Sequence, residues 1–226
     1  MRLVVGDIHG CLNTLRNLLE DQLAISTTDQ LYFLGDYIDR GRNSSGVLDY
    51  ILGLLDKGYQ IYPLRGNHEE NMLRAFDEYD TDTFRFYVSK FKSLDLLDAK
   101  GNLKKKYLDF MNTLPYYIEL DDFFLVHAGF DISKPRPFDD KVGMLEFRNM
   151  KYDGGIFKDK HIVFGHNPAY LNKIIEAVNE KEKLIPLDNG CVYNKPHKIY
   201  DHAQLGQLCA LDLDAFELHM QKNIEK

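Results

Sequence analysis

The sequence predicts an α/β protein in which two mainly mixed β-sheets pack as a sandwich with helices on the outer faces. Three observations predict it. Short apolar runs alternate with amphipathic, helix-length segments in the early part of the chain, and the late part is rich in strand-like runs. Glycine-flanked polar clusters follow five of the apolar runs directly, and loops beyond the carboxyl ends of strands are where such sheets gather ligands. Sheets and helices that each bury one face are satisfied by stacking in layers.

Residues 3–5 form a short apolar strand and 13–20 an amphipathic helix, followed by a strand over 30–34. Over 45–57, Val47, Leu48, Ile51, Leu52 and Leu55 recur close to the helical period, and Gly58 stops the helix. A third strand covers 59–64. From 69 to 114 the pattern is mostly helical and Pro115 closes it, so 70–114 reads as a helical insert over one face. Strands at 117–120 and 123–126 flank a turn at Asp121-Asp122, and a helix spans 139–146. Further strands are expected at 162–164, 173–177, 184–187 and 206–212, the last pairing with 216–221. No linker interrupts the 226 residues, so 1–226 is expected to form a single domain.

Composition narrows the class. A net charge of -7 argues against a general nucleic-acid binder, and the basic cluster at 104–106 reads as a solvated helix face. No run approaches the length of a membrane span. Cys11, Cys191 and Cys209 are odd in number and lack CxxC spacing. Neither a disulfide framework nor a zinc knuckle is expected, and a cytoplasmic location is.

Chemistry concentrates in Gly6-Asp7-Ile8-His9-Gly10, Gly35-Asp36-Tyr37-Ile38-Asp39-Arg40-Gly41, Gly66-Asn67-His68-Glu69, His127-Ala128-Gly129 and Gly165-His166. Any one of these is an ordinary loop. Five in this order, each after a strand, are not. Carboxylate, amide and imidazole donors make a mixed oxygen and nitrogen set that suits manganese, iron or zinc. There are too many donors for one ion, so two divalent ions are expected, with Asp36 able to bridge them. A water held between two such ions loses a proton near neutral pH and becomes a nucleophile. His161, His197, His202 and His219 lack this context and are assigned packing or surface roles.

This set resembles the calcineurin-like metallophosphoesterases, a four-layer αββα family. More narrowly it is similar to their phosphoprotein phosphatase branch, which reads GDxHG, GDxxDRG, GNHE, then HA and GH. The stretch Leu187-Asp188-Asn189-Gly190-Cys191 resembles a later strand and turn of that family. The resemblance implies that Asp7, His9 and Asp36 hold one ion, and that Asp36, Asn67, His127 and His166 hold the other, manganese being the first expectation. It implies His68 as general acid, Asp39 as the carboxylate orienting His68, and Arg40 as a phosphate-gripping residue. Arg148 is assigned as a second phosphate-binding arginine, and Asn67 also stands in reach of substrate. Arg65 reads as a group supporting the site from behind or as a structural one, and Tyr37 either as a residue near the site or as an apolar strand-end residue.

Asp39 and Glu69 favour hydrolysis of phosphoserine and phosphothreonine monoesters, with phosphorylated proteins or peptides as partners and neither nucleic acid nor membrane. The symmetrical diadenosine tetraphosphate hydrolases of the same family commonly lack that aspartate and read GNHD. A bis(5'-nucleosyl)-tetraphosphatase is the alternative, and a non-catalytic metal-binding module the remote one. Substrate choice is expected to lie in the helical insert and in the loop over 130–142.

Overall fold

The computed structural model describes residues 1–193 and 202–225. In chain order the elements are β1 (Arg2–Val5), α1 (Leu12–Arg16, continued by a π-helical segment Asn17–Gln22), β2 (Gln30–Phe33), α2 (Ser44–Asp56), β3 (Gln60–Pro63) and α3 (Asn67–Glu78). Next come α4 (Thr81–Lys90), α5 (Lys105–Thr113), β4 (Tyr117–Glu119), β5 (Phe123–Val126), α6 (Lys141–Glu146), α7 (Gly154–Phe157) and β6 (His161–Phe164). The chain then forms α8 (Leu171–Asn179), β7 (Leu184–Pro186), β8 (Asp188–Asn189), β9 (Gln207–Asp212) and β10 (Glu217–Lys222).

Among the described residues these strands make two mixed sheets. The first has the order β10-β9-β1-β2-β3, with β8 also on β9. Its β1, β2 and β3 are parallel, whereas β9 runs antiparallel to β1, β8 and β10. β8 pairs with Leu208 and Gln207, just past Ala210 where β1 leaves off, so Asp188 continues the line of β1. The second sheet has the order β4-β5-β6-β7, parallel except for the β4–β5 hairpin.

Strand alternation explains the layers, since successive side chains point to opposite faces. Val4 and Tyr32 share a core with Phe123, Leu125, Val163 and Ile185, which is the contact between the sheets. Their neighbours Leu3, Val5, Leu31 and Phe33 face the other way, onto Leu15, Val47, Ile51, Met72 and Met111 from helices α1, α2, α3 and α5. On the second sheet Phe124, Val126 and Ile162 turn outward onto Phe130, Met144 and Phe157. The helices of the expected insert therefore cover the outer face of the first sheet.

One expected strand is corrected. Residues 173–177 lie in helix α8, whose Ile174, Ala177 and Val178 recur at i, i+3 and i+4 and are its buried positions. The adjacent Ile174 and Ile175 mimic strand composition, but packing on one side selects the helix. The region 69–114 breaks into three helices, parted at Tyr79-Asp80 and by an irregular stretch containing a 3-10 turn, Leu94–Leu96. The expected strand 184–187 splits, because the chain crosses from β7 in the second sheet to β8 in the first. The cysteines Cys11, Cys191 and Cys209 are buried and free. Among the described residues no helix is long and apolar enough to cross a membrane.

Candidate functional site

Parallel strands send their carboxyl ends to one rim. Asp7 and His9 follow β1, Asp36 to Arg40 follow β2, Asn67 and His68 open α3 just after β3, His127 follows β5, and His166 follows β6. The backbone is strained where these side chains emerge. His9, Asp36, Asp39, Arg40 and His166 have φ of 48°, 52°, 70°, 64° and 67°. That left-handed region costs a non-glycine residue ~1–2 kcal/mol, and such strain collects at functional sites. The buried Glu69 carboxylate holds the β2 loop in place, accepting from the amides of Asp36 (2.9 Å), Tyr37 (2.9 Å) and Gly66 (3.0 Å). Gly35, at φ 103°, allows the β2 and β3 loops to meet: a Cβ there would lie 2.4 Å from the Gly66 nitrogen.

The side chains form two buried groups that could hold metal, His9–Asp36–His68 and Asp36–His127–His166, with ligand atoms within 4.8 Å of one another in each. Asp36 belongs to both. Its Oδ2 lies 3.4 Å from His9 Nε2 and its Oδ1 lies 3.5 Å from His127 Nε2. His9 Nδ1 donates to the Ile38 carbonyl and His127 Nδ1 to the Leu34 carbonyl, both at 2.9 Å. A carbonyl only accepts, so each ring carries its proton on Nδ1 and turns the Nε2 lone pair toward Asp36. The Asn67 amide stands 3.0 Å from His127 Nε2 and 3.1 Å from His166 Nδ1.

Electrostatics favour neutral imidazoles around crowded carboxylates. Burial holds His9 and His127 below the ordinary histidine range and pushes His166 down to about 3, with His127 adding to the shift. Burial, followed by the charges of Asp188 and Asp36, pushes Asp7 well up. Burial likewise raises Asp188 to about 7. Burial also opposes the charge on Asp36, but His127, His68 and His9 more than offset it and hold that carboxyl below the usual range. Asp7 Oδ1, buried in the site, has no hydrogen-bond partner among the described residues, and His166 turns its Nδ1 toward Asn67. A buried lone pair left unpaired is costly, and a cation satisfies it. The donor set therefore fits two divalent ions of the manganese, iron or zinc type sharing Asp36.

His68 differs from the other rings. Its Nδ1 faces Asp39 Oδ2 at 2.7 Å, and Ser93 donates to Asp39 Oδ1 at 2.6 Å. Burial opposes an imidazolium there, yet Asp36 and the Asp39 hydrogen bond raise the pKa above the ordinary value. Its Nε2 is 3.9 Å from Asp36, farther than that of His9. A carboxylate on Nδ1 favours the charged ring, a proton donor, over a ligand. Arg40 Nη1 lies 2.8 Å from His9 Nε2. That nitrogen cannot accept from Arg40 and ligate an ion at once, so Arg40 would have to turn away for His9 to hold an ion.

Other expected residues meet these groups less directly or lie outside them. Asp7 lies in neither triad and meets the second through its Oδ2, which accepts from the His166 amide at 3.0 Å. Arg148 is exposed at the rim and donates to Asn167 Oδ1 at 2.9 Å. Arg65 donates to the Met111 carbonyl and Glu70, tying α5 to α3, and Tyr37 is buried with its hydroxyl on the Leu64 carbonyl. His161 donates to the Glu182 carbonyl, away from the site; His197 lies outside the described residues. Sequence reasoning gave no position in the site to Asp188, to Ser93, or to Ser44, whose hydroxyl oxygen accepts from the Asp39 amide at 3.0 Å. Asp188 sits in a stretch already noted for its resemblance, whereas Ser93 carries no local signal.

Residues 2–201 match the Calcineurin-like phosphoesterase family. The chain is 24% identical over 227 residues to an asymmetrical bis(5'-nucleosyl)-tetraphosphatase of Oceanobacillus iheyensis, covering 87% of this chain and 86% of that one. It is 30% identical over 126 residues to a symmetrical bis(5'-nucleosyl)-tetraphosphatase of Vibrio campbellii, covering 56% of this chain but only 43% of that one. A crystal structure of a candidate diadenosine tetraphosphatase, 20% identical, shares the fold with a TM-score of 0.69 over 100% of this chain and 94% of the other. Since the family match takes in every strand that feeds the metal-binding rim, the chain belongs to the calcineurin-like phosphoesterases and is a metal-dependent phosphoesterase.

Proposed function

We propose that this centre hydrolyses dinucleoside polyphosphates. The geometric observation that carries the chemistry is Asp36 set between two buried donor groups, each completed by histidines. The substrate class is supported by kinship to a tetraphosphatase over 87% of the chain. That kinship weighs more than Asp39 and Glu69, which alone favoured phosphoproteins. Bound ions would offset charge on the phosphate and lower the pKa of a water. His9, Asp36, Asn67, His127 and His166 would hold them, with Asp7 at their side. Arg40, once turned outward, offers a planar fork that matches two phosphate oxygens. Asp39 keeps the His68 proton on Nδ1 and leaves Nε2 to donate to the departing oxygen.

The Asp39–His68 pair favours a second reading, hydrolysis of phosphoserine or phosphothreonine. A serine alkoxide leaves poorly without a proton, whereas a nucleotide phosphate leaves readily. The two readings separate in a manganese assay of diadenosine tetraphosphate beside a phosphopeptide, with the nucleotide products identified. Higher kcat/KM on the tetraphosphate is expected, and the opposite ranking would install the second reading. His68→Asn should cost ~10²–10⁴ in kcat on the phosphopeptide, the usual worth of a general acid, and clearly less on the tetraphosphate. Equal losses would remove His68 as the acid.

A further inference from the structure

Beside Arg40 opens a cavity of about 340 Å³ lined by Arg40, Lys90, Phe91, Lys92, Val192 and Tyr193. It brings three cations and two aromatic rings together, with no lining carboxylate among the described residues, on a chain whose net charge is -7. The helical insert supplies half of it. The Arg40 amide donates to the Phe91 carbonyl at 2.8 Å, and Lys92 Nζ donates to the Arg40 carbonyl at 3.2 Å. The cavity wall is thus joined to the loop that carries the phosphate-gripping arginine.

Its position relative to His68 matters most. The Phe91 ring meets the His68 ring edge-on, with centroids 6.1 Å apart. In phosphoryl transfer the attacking and leaving oxygens lie roughly in line. The nucleophile comes from the donor cluster, so the leaving oxygen departs toward the proton donor, His68. A group leaving past His68 enters the space bounded by Phe91, Arg40 and Tyr193. The Arg40 guanidinium carbon lies 5.9 Å from the Tyr193 ring centroid, so a cation and an aromatic face already adjoin there.

We propose that this cavity is the leaving-group subsite and that it holds a nucleoside polyphosphate. Lys90, Lys92 and Arg40 meet the phosphates, and Phe91 and Tyr193 offer faces for the base, since aromatic rings stack on any base. This rests on the proposed dinucleoside polyphosphate activity and deepens it. A phosphopeptide would place a neutral serine or threonine backbone there and use neither feature fully.

The test compares the wild type with Lys90→Glu and Tyr193→Ala, in manganese, on diadenosine tetraphosphate and on p-nitrophenyl phosphate. Unchanged far-UV circular dichroism and an unchanged melting temperature certify that each variant folds, and p-nitrophenyl phosphate serves as the reporter reaction against which inhibitors are read. Each variant should raise KM for the tetraphosphate by about 10-fold or more, the effect of losing a charge-assisted bond or a stacked base. As inhibitors of p-nitrophenyl phosphate hydrolysis, ATP and tripolyphosphate should both weaken with Lys90→Glu. Only ATP should weaken with Tyr193→Ala. Unaltered KM for the tetraphosphate in both variants, or an equal rise in KM for a phosphopeptide, overturns the subsite. Failure of the functional reading looks different: the wild type itself would turn over phosphopeptide and no dinucleoside polyphosphate.

Discussion

Glu69 is wholly buried; burial and then the charge of Asp36 raise its pKa, while His68 and the amides of Asp36 and Tyr37 favour the ionised form. Its oxygens accept from three amides of the β2 and β3 loops and so hold Asp36 in its left-handed conformation. Glu69→Gln replaces one acceptor with an NH₂ that faces those amides. The expected cost is ~1–3 kcal/mol, the penalty for unsatisfied buried groups, read as a lower melting temperature; an unchanged melting curve would contradict the anchoring role. In the sequence this residue served only to distinguish branches of the family, because nothing local reveals what a side chain reaches. Ser93 is harder still, since it donates to Asp39 from 54 positions away. The metal-donor types, by contrast, are legible in the sequence, because each stands within two residues of a glycine at a strand end.

Helix α2 shows how elements were read. Val47, Leu48, Ile51 and Leu54 bury one face, and Asn43 caps the start by accepting from the Gly46 amide at 3.0 Å. Asn43→Ala should cost ~1 kcal/mol, as for other caps, measured by denaturant unfolding with kcat retained. A fall in kcat at unchanged stability would place Asn43 in the site instead. Long periodic segments such as α2 were legible. Helix α8 was misread because neighbouring β-branched residues suggested a strand, and its period emerges only once Ala177 and Val178 are known to share the buried face. α7 and β8, at 4 and 2 residues, are too short to display a period at all.

Across the whole molecule, two sheets bring acidic groups together at one rim. Asp7, Asp36 and Asp188 are buried near one another; the charges of Asp188 and Asp36 oppose ionisation of Asp7, and that of Asp36 opposes ionisation of Asp188. Divalent ions bound there should stabilise the fold by ~2.7 kcal/mol at a hundredfold excess over Kd, raising the melting temperature by roughly 5–10 °C for a chain of this size. Differential scanning calorimetry of chelated protein, with and without added manganese, checks this; identical curves would argue against ion binding at this rim. The sequence by itself determined the layered architecture and pointed to Asp36, His9, His127 and His166, which the structure gathers at one rim, because strand alternation, helical period and strand-end motifs are local patterns. Only the tertiary structure decided that Ser93 steadies Asp39, that Asp188 extends the line of β1 beside Asp7, and that Lys90, Phe91 and Lys92 border Arg40. Those meetings depend on how distant segments pack over the sheets, and packing of that kind leaves no mark in any short stretch of chain.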